Sequence, residues 1–120
     1  MRILVCEDEI LTLKTIEFVL NRKGHEVIKA SDGDQAIKIL QEEKVDLLLT
    51  DINLPYAKGL ELVHFINTQL EPRIPVIIVS GITLDETRDH ALELGAIGYL
   101  TKPFDPVELL GMIDSLSVRK

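Results

Sequence analysis

Hydrophobic residues occur along this chain in two alternating patterns. Short continuous runs at residues 3–6, 47–49 and 76–79 predict strands, and those at 47–49 and 76–79 are typical of strands that are buried on both faces. Two further runs, at residues 26–30 and 97–100, complete five predicted strands, and we expect the partly polar 26–30 strand at an edge of the sheet. The longer segments between the strands repeat hydrophobic residues every three or four positions, as helices do.

Start and stop signals flank the segments predicted as helices. One helical face of the first segment carries Ile10, Leu13, Ile16 and Leu20, with Gly24 expected to close the helix. The other helices are bounded by capping residues, prolines and glycines, in chain order Asp32 with Gln35, then Pro72 and Pro75, then Thr83 with Glu86 and Gly95, then Asp105 with Pro106 and Glu108. Five strands alternating with five helices predict the α/β class, a doubly wound parallel sheet with helices on both faces.

The composition limits the chain to one domain and few classes of partner. A chain of 120 residues forms one core of useful size, so we expect a single domain over residues 1–120. Thirteen Lys and Arg residues against 20 Asp and Glu give a formal charge of −7, which disfavours binding to nucleic acid or to an anionic membrane. The single Cys6 precludes an internal disulfide, and the sequence has neither a signal peptide nor a long apolar run, so we expect a soluble cytoplasmic domain.

Polar side chains follow the central strands, at the edge of the sheet where α/β proteins bind ligands. Glu7 and Asp8 come directly after the first strand, and Asp51 comes directly after the third. With the strand order 2-1-3-4-5 these two strands are neighbours, so the three carboxylates are expected to converge. Ser80 ends the fourth strand and Lys102 follows the fifth, and both are expected on the far side of Asp51.

Three carboxylates in one pocket need a positive charge beside them. Two like charges about 4 Å apart cost on the order of 4 kcal/mol at an effective dielectric of 20. An all-oxygen ligand set favours Mg²⁺, whereas zinc is disfavoured because His25, His64 and His90 lie in separate elements. Beside Mg²⁺ and Lys102, Asp51 would be equipped to attack phosphorus and become an aspartyl phosphate.

Each of these residues also has an ordinary structural interpretation. Glu7 and Asp8 suit a helix N-terminus, Ser80 suits a cap or a turn, and Lys102 suits a solvated surface. Asp51 is harder to explain in this way, because an unpaired acid beside a core strand is costly. The shared location of all five favours a functional site over five separate structural roles.

Four short segments together resemble the receiver domain of two-component response regulators, of the chemotaxis-regulator type with a flavodoxin-like (βα)5 fold. The segments are ILVCEDE at residues 3–9, LLTDINLP at 48–55, VSG at 79–81 and GYLTKPF at 98–104, so the match spans nearly the whole chain. The resemblance implies that Asp51 accepts a phosphoryl group from a sensor histidine kinase or a histidine phosphotransfer protein. Such a domain is a signalling module that catalyses only its own phosphorylation and dephosphorylation.

The same resemblance assigns a metal site to this chain. It implies that Mg²⁺, with Mn²⁺ as a substitute, is held by Glu7, Asp8, Asp51 and the backbone carbonyl of Asn53. Glu7 stands where many members of the family carry the shorter Asp, which keeps the charge and is expected to shift the affinity for the metal.

The resemblance further implies a phosphate-binding group and a switch. Lys102, Ser80 and Gly81 would bind the phosphoryl group, and the bond between Lys102 and Pro103 is expected to be cis. Ser80 and Tyr99 would switch together and alter the surface of the fourth helix, fifth strand and fifth helix, which passes the signal to an output domain or a target protein.

The chain departs from the family pattern at two residues that bear on how the signal is passed on. Ile97 and Gly98 replace the acids that build a charged dimer face in many winged-helix transcription factors, which favours a stand-alone receiver or another kind of output.

Three other functions remain as alternatives. A phosphatase of the haloacid-dehalogenase type would need an acid two residues after its nucleophile, where this chain has Asn53. A flavin-binding electron carrier would need a phosphate loop after the first strand, where Glu7 and Asp8 would repel a phosphate. A binding module with a degenerate site would lack the acceptor, acids and lysine that are all present here.

Overall fold

Strands and helices alternate strictly along the chain. The computed structural model describes residues 1–52 and 59–118. In chain order the elements are β1 (Arg2–Cys6), α1 (Ile10–Arg22), β2 (Glu26–Ala30), α2 (Gly33–Glu42), β3 (Leu47–Thr50), α3 (Gly59–Gln69), β4 (Val76–Ser80), α4 (Asp85–Glu93), β5 (Gly98–Thr101) and α5 (Pro106–Val118).

The five strands form one parallel sheet in the order β2-β1-β3-β4-β5. This order confirms the predicted doubly wound α/β fold, and it confirms the edge position of β2. In the register of β1 and β3, Cys6 pairs with Thr50. The residues that follow these two strands therefore leave the sheet side by side.

Both faces of the sheet are covered by helices. One hydrophobic core packs residues of α2, α3 and α4 against side chains such as Leu4 and Leu48, and the other packs α1 and α5 against Ile3 and Leu49. Residues of β3 and β4 are buried at every position, as the continuous apolar runs predict. Burial on both faces fixes the strands and leaves their carboxyl ends as the edge where polar groups collect.

Several predicted helix boundaries are confirmed. Asp32 accepts a hydrogen bond from the backbone N–H of Gln35 at the start of α2, and Asp105 accepts one from Val107 at the start of α5. Gly24 and Gly95, which follow α1 and α4, have φ angles of +84° and +117°, a region that favours glycine.

The predicted capping box of Thr83 with Glu86 is wrong. Helix α4 begins at Asp85 and Leu84 is its N-cap residue, so Thr83 precedes the cap. Both backbone polar groups of Ile82 are hydrogen-bonded to side chains, N–H to Ser80 Oγ and C=O to the Tyr99 hydroxyl. This anchoring extends the connection after β4 and delays the first helical turn.

Within residues 1–52 and 59–118, the structure contains no helix with the length and apolarity needed to cross a membrane.

Candidate functional site

Two buried carboxyl groups sit at adjacent strand ends. The backbone N–H of Glu7 donates to Ala30 O (3.0 Å) and that of Asp51 donates to Cys6 O (3.1 Å), so hydrogen bonding to the neighbouring strand continues past both strand ends. Glu7 is 3% exposed and Asp51 is 8% exposed, although both are acids. Backbone pairing therefore holds two acidic side chains where they are shielded from solvent, and a buried carboxylate is costly unless it has a partner.

Asp8 completes an acidic cluster with Glu7 and Asp51. One carboxylate oxygen from each residue can be chosen so that all three lie within 4.8 Å of one another. Asp8 is exposed, so the cluster is open to solvent on one side. Two buried carboxylates and one exposed carboxylate form a donor set that fits a hard divalent cation such as Mg²⁺, which takes carboxylate and water oxygens.

The ammonium of Lys102 lies between two of these acids. Its Nζ atom is 2.6 Å from Glu7 Oε1 and 2.7 Å from Asp51 Oδ2. The backbone of Lys102 is held as well, because its N–H donates to Ser80 O at 2.7 Å. Strand order alone placed Lys102 beyond Asp51, whereas the side chain reaches past Asp51 to Glu7.

The electrostatics of the site follow from burial and pairing. The pKa of Glu7 is raised to about 7, mainly by burial; Lys102 opposes the rise and Asp51 adds to it. Burial lowers the pKa of Lys102, but hydrogen bonds and charges from Asp51 and Glu7 outweigh that effect and leave the pKa above its usual value. Lys102 is therefore positively charged at neutral pH, and the charge of Glu7 changes near neutral pH.

Two hydroxyl groups hold the β4–α4 connection beside the site, those of Ser80 at the end of β4 and Tyr99 in β5. Ser80 is fully buried, and its Oγ accepts a hydrogen bond from the N–H of Ile82 at 3.1 Å. The hydroxyl of the half-buried Tyr99 donates to the carbonyl oxygen of the same residue at 2.7 Å. Gly81 lies between Ser80 and Ile82 in the chain, and a Cβ there would meet no described atom within 4 Å, so this side of the connection is open.

Other residues named in the sequence analysis are placed as follows. The peptide bond between Lys102 and Pro103 is cis. Asn53 lies outside the described residues. Cys6 is buried, and burial raises the pKa of its thiol to about 12, so it remains a neutral core residue below the site.

Sequence reasoning missed Gly59, the first residue of α3. A Cβ at this position would overlap the backbone carbonyl of Asp51, and the N–H of Gly59 donates to Ile52 O at 2.9 Å. The close approach supports the backbone that carries the Asp51 carboxylate. The sequence shows only that a glycine precedes a helical pattern. It does not show which neighbouring residue leaves no room for a side chain at position 59.

Comparison with known proteins identifies one family whose sequence pattern matches most of the chain. The sequence profile of the response regulator receiver domain matches residues 3–114. The phosphate regulon transcriptional regulatory protein PhoB of Klebsiella pneumoniae is 38% identical over 119 residues, which cover 98% of this chain and 52% of that protein. The aerobic respiration control protein ArcA of Escherichia coli K12 is 36% identical over 107 residues, 89% of this chain and 44% of that protein. The chain thus spans about half the length of the curated relatives it matches.

Solved structures match the fold over nearly its full length. The receiver domain of a Francisella response regulator superposes with a TM-score of 0.92 at 29% identity, covering 98% of this chain and 97% of that one. The receiver domain of a sensor histidine kinase from Pseudomonas aeruginosa superposes with a TM-score of 0.85 at 30% identity, covering 95% and 94%. That second structure has a magnesium ion coordinated in its active site cleft.

Proposed function

The chain belongs to the response regulator receiver domains, a family of signalling domains, and from that premise we propose that Asp51 is its phosphorylated residue. The main support is the position of the Asp51 carboxylate, which lies at a buried strand end within the acidic cluster, 2.7 Å from the Lys102 ammonium. The phosphodonor would be a sensor histidine kinase or a histidine phosphotransfer protein.

The acidic cluster fits a magnesium ion. Glu7, Asp8 and Asp51 would hold it, with the backbone carbonyl of Asn53 as a further proposed ligand and with Mn²⁺ as a proposed substitute. When bound, the ion supplies positive charge against the oxygens of the transferring phosphoryl group. Support for the ion comes from the all-oxygen donor set of this chain and from the magnesium site of the related Pseudomonas receiver domain.

The chemistry assigned to Asp51 is a single displacement at phosphorus. One carboxylate oxygen forms a bond to phosphorus while the P–N bond of the phosphohistidine breaks, and the imidazole leaves with the bonding electron pair. Lys102 would then bind an oxygen of the new acyl phosphate, because its ammonium already lies at hydrogen-bond distance from Asp51. Hydrolysis of the acyl phosphate by water would return Asp51 to a carboxylate and release inorganic phosphate.

Phosphorylation would also act on the β4–α4 connection. It adds about 1.5 to 2 negative charges and new acceptor oxygens at the end of β3. We assign the Ser80 hydroxyl and the backbone of Gly81 to these oxygens, which would draw Ser80 Oγ away from the N–H of Ile82. Tyr99 binds the carbonyl of the same residue, so it would respond with Ser80 and change the surface formed by α4, β5 and α5.

The proposed module is one receiver domain over residues 1–120, and its output is a linked domain or a separate target protein. The transcriptional regulatory protein PhoB named above is about twice as long as this chain, which favours a linked output.

The acceptor is tested by labelling. The protein is incubated with Mg²⁺ and a small phosphodonor such as acetyl phosphate, and the mass and hydroxylamine sensitivity of the product are measured. We expect one hydroxylamine-labile phosphate in the parent protein and none in Asp51→Asn. The control is Asp34→Asn, which removes the same charge from an exposed position on α2 and should label normally. Undiminished labelling of Asp51→Asn would refute the assignment.

A further inference from the structure

Helix α4 buries little of its own surface against the rest of the domain. Among its residues, all of which lie in the described part of the chain, Ala91 alone is buried. A helix with so small a buried surface gains little stability from packing, so the contacts at its two ends determine its position. The two ends are held by different kinds of contact.

The N-terminal end of α4 depends on the residues of the proposed switch. Leu84, the N-cap residue, has an apolar side chain that cannot cap the helix, and its carbonyl accepts a hydrogen bond from the N–H of Arg88 at 3.2 Å. Ile82, two residues before the cap, is held by the hydroxyl groups of Ser80 and Tyr99. A phosphoryl group that draws Ser80 Oγ away from Ile82 would therefore loosen this end of the helix.

The C-terminal end of α4 is held by a side chain of α3. The last carbonyl groups of a helix have no partner within the helix. One of them, the carbonyl of the C-cap residue Leu94, accepts a hydrogen bond from the side-chain amide of the half-buried Asn67. Gly95, the next residue, packs so closely that a Cβ there would overlap the same amide. This anchor uses none of the residues assigned to the phosphoryl group or to the switch.

Backbone hydrogen bonds fix the same end of α4 to the sheet. The N–H of Ala96 donates to Ala91 O at 3.1 Å, and the N–H of Ile97 donates to Val76 O in β4 at 2.8 Å. Leu94 also packs against the hydrophobic core beneath α4. The C-terminal end of the helix is therefore joined both to α3 and to the sheet.

A helix that is fixed at one end and loosened at the other turns about the fixed end. With nine residues α4 is about 13.5 Å long, and the displacement grows along that length. We propose that Asn67 is a positioning residue that fixes the C-terminal end of α4 to α3, so that the switch at Ile82 turns α4 about that end. The exposed Leu84 would then move, and the exposed Leu92, near the fixed end, would stay in place. This inference rests on the proposed function, from which it takes the phosphoryl group.

The test measures hydrogen exchange at each backbone amide by NMR. Exchange is compared with and without beryllofluoride, a stable mimic of a phosphoryl group on a carboxylate, in the presence of Mg²⁺. In the parent protein we expect beryllofluoride to change exchange of the Arg88 amide by about fivefold, the effect of one hydrogen bond. The amides of residues 94–96, at the fixed end, should change by less than about twofold.

Two variants remove the donor at position 67. In Asn67→Ala the amides of residues 94–96 should exchange about fivefold faster even without beryllofluoride. The change caused by beryllofluoride should now extend from Arg88 to residues 94–96, which loss of a purely structural contact would not produce. Asn67→Asp keeps the shape of the side chain but, when ionised, cannot donate, so it should match Asn67→Ala. The control Gln69→Ala removes an exposed amide from the same helix and should match the parent.

Labelling of Asp51 by acetyl phosphate in the same samples separates the two proposals. With Asp51 labelled, the fixed end is overturned if beryllofluoride changes both ends of α4 equally in the parent or leaves Arg88 unchanged. It is also overturned by parent-like exchange at residues 94–96 in either Asn67 variant, or by a beryllofluoride effect in Asn67→Ala that stays confined to Arg88. Each of these results leaves the proposed function intact. A parent protein that is not labelled at Asp51 would overturn the proposed function and this inference with it.

Discussion

The hydroxyl of Tyr99 donates a hydrogen bond to the backbone carbonyl oxygen of Ile82, at 2.7 Å. The N–H of Ile82 donates in turn to the fully buried Ser80 Oγ at 3.1 Å. One residue of the β4–α4 connection is therefore held by two side chains from two neighbouring strands. Because Ser80 is proposed to bind the phosphoryl oxygens and Tyr99 lies at the proposed output surface, Ile82 connects the two regions through its hydrogen bonds.

Tyr99→Phe should loosen this connection. The substitution keeps the aromatic ring and removes one half-buried hydrogen bond, so we expect the free energy of unfolding to fall by about 1 kcal/mol. The local effect should be larger than the global one, with faster hydrogen exchange at residues 82–85 than in the rest of the protein. Exchange is followed by mass spectrometry, and equal acceleration across the sheet would contradict a local role for the hydroxyl.

Glu7 should make the metal-free protein less stable as the pH rises. Its pKa in the folded protein, about 7, is higher than the ordinary value of 4.5, so the folded state binds the proton more tightly than the unfolded state. The stabilisation is full below pH 4.5 and is lost as the pH rises through 7, and it amounts to about 3 kcal/mol. Urea unfolding between pH 5 and 8 with a chelator present measures it.

The control for this prediction separates Glu7 from other titrating groups. Burial lowers the pKa of His25, which adds stability as the pH rises through its ordinary value of 6.5 and so opposes the effect of Glu7. Glu7→Gln should remove the loss of stability above pH 5 and leave the His25 contribution, whereas Glu42→Gln on the exposed end of α2 should change neither. An unchanged pH profile in Glu7→Gln would show that another group is responsible.

The fold could be predicted because its signals are local and repeated. The continuous apolar runs at residues 47–49 and 76–79 identify strands buried on both faces, and the order of strands then places Glu7 beside Asp51. The start of α4 was predicted wrongly because the signal at Thr83 competes with hydrogen bonds to Ile82 that arise only after the sheet has formed.

The site was less fully predictable because its contacts depend on distance between side chains. The sequence indicates which acids gather at the strand ends, but the contact of Lys102 with Glu7 joins residues 95 positions apart. Whether two long side chains meet across three strand intervals depends on their rotamers and on the twist of the sheet. The close packing of Gly59 on Asp51 is hidden for the same reason, since it depends on the path of the backbone.

Gly59→Ala should damage both stability and the site. A Cβ at this position would overlap the carbonyl oxygen and carbon of Asp51 and the Cα of Ile52, all of them backbone atoms that cannot rotate away. We expect a loss of about 2–3 kcal/mol in the free energy of unfolding, the range typical of overpacking in a closely packed region. Chemical unfolding measures the loss, and a variant as stable as the parent would show that the backbone beneath Asp51 shifts freely.

Gly111→Ala is the matched substitution, with the opposite expected sign. Gly111 is an exposed residue inside α5, and among the described residues no atom lies within 4 Å of the Cβ that alanine would add. Alanine restricts the unfolded chain and favours the helix, so we expect the free energy of unfolding to rise by about 0.5–1 kcal/mol. The same unfolding experiment measures this gain. Destabilisation by Gly111→Ala would mean that α5 requires glycine for its backbone conformation, and the contrast with Gly59 would then no longer isolate the contact with Asp51.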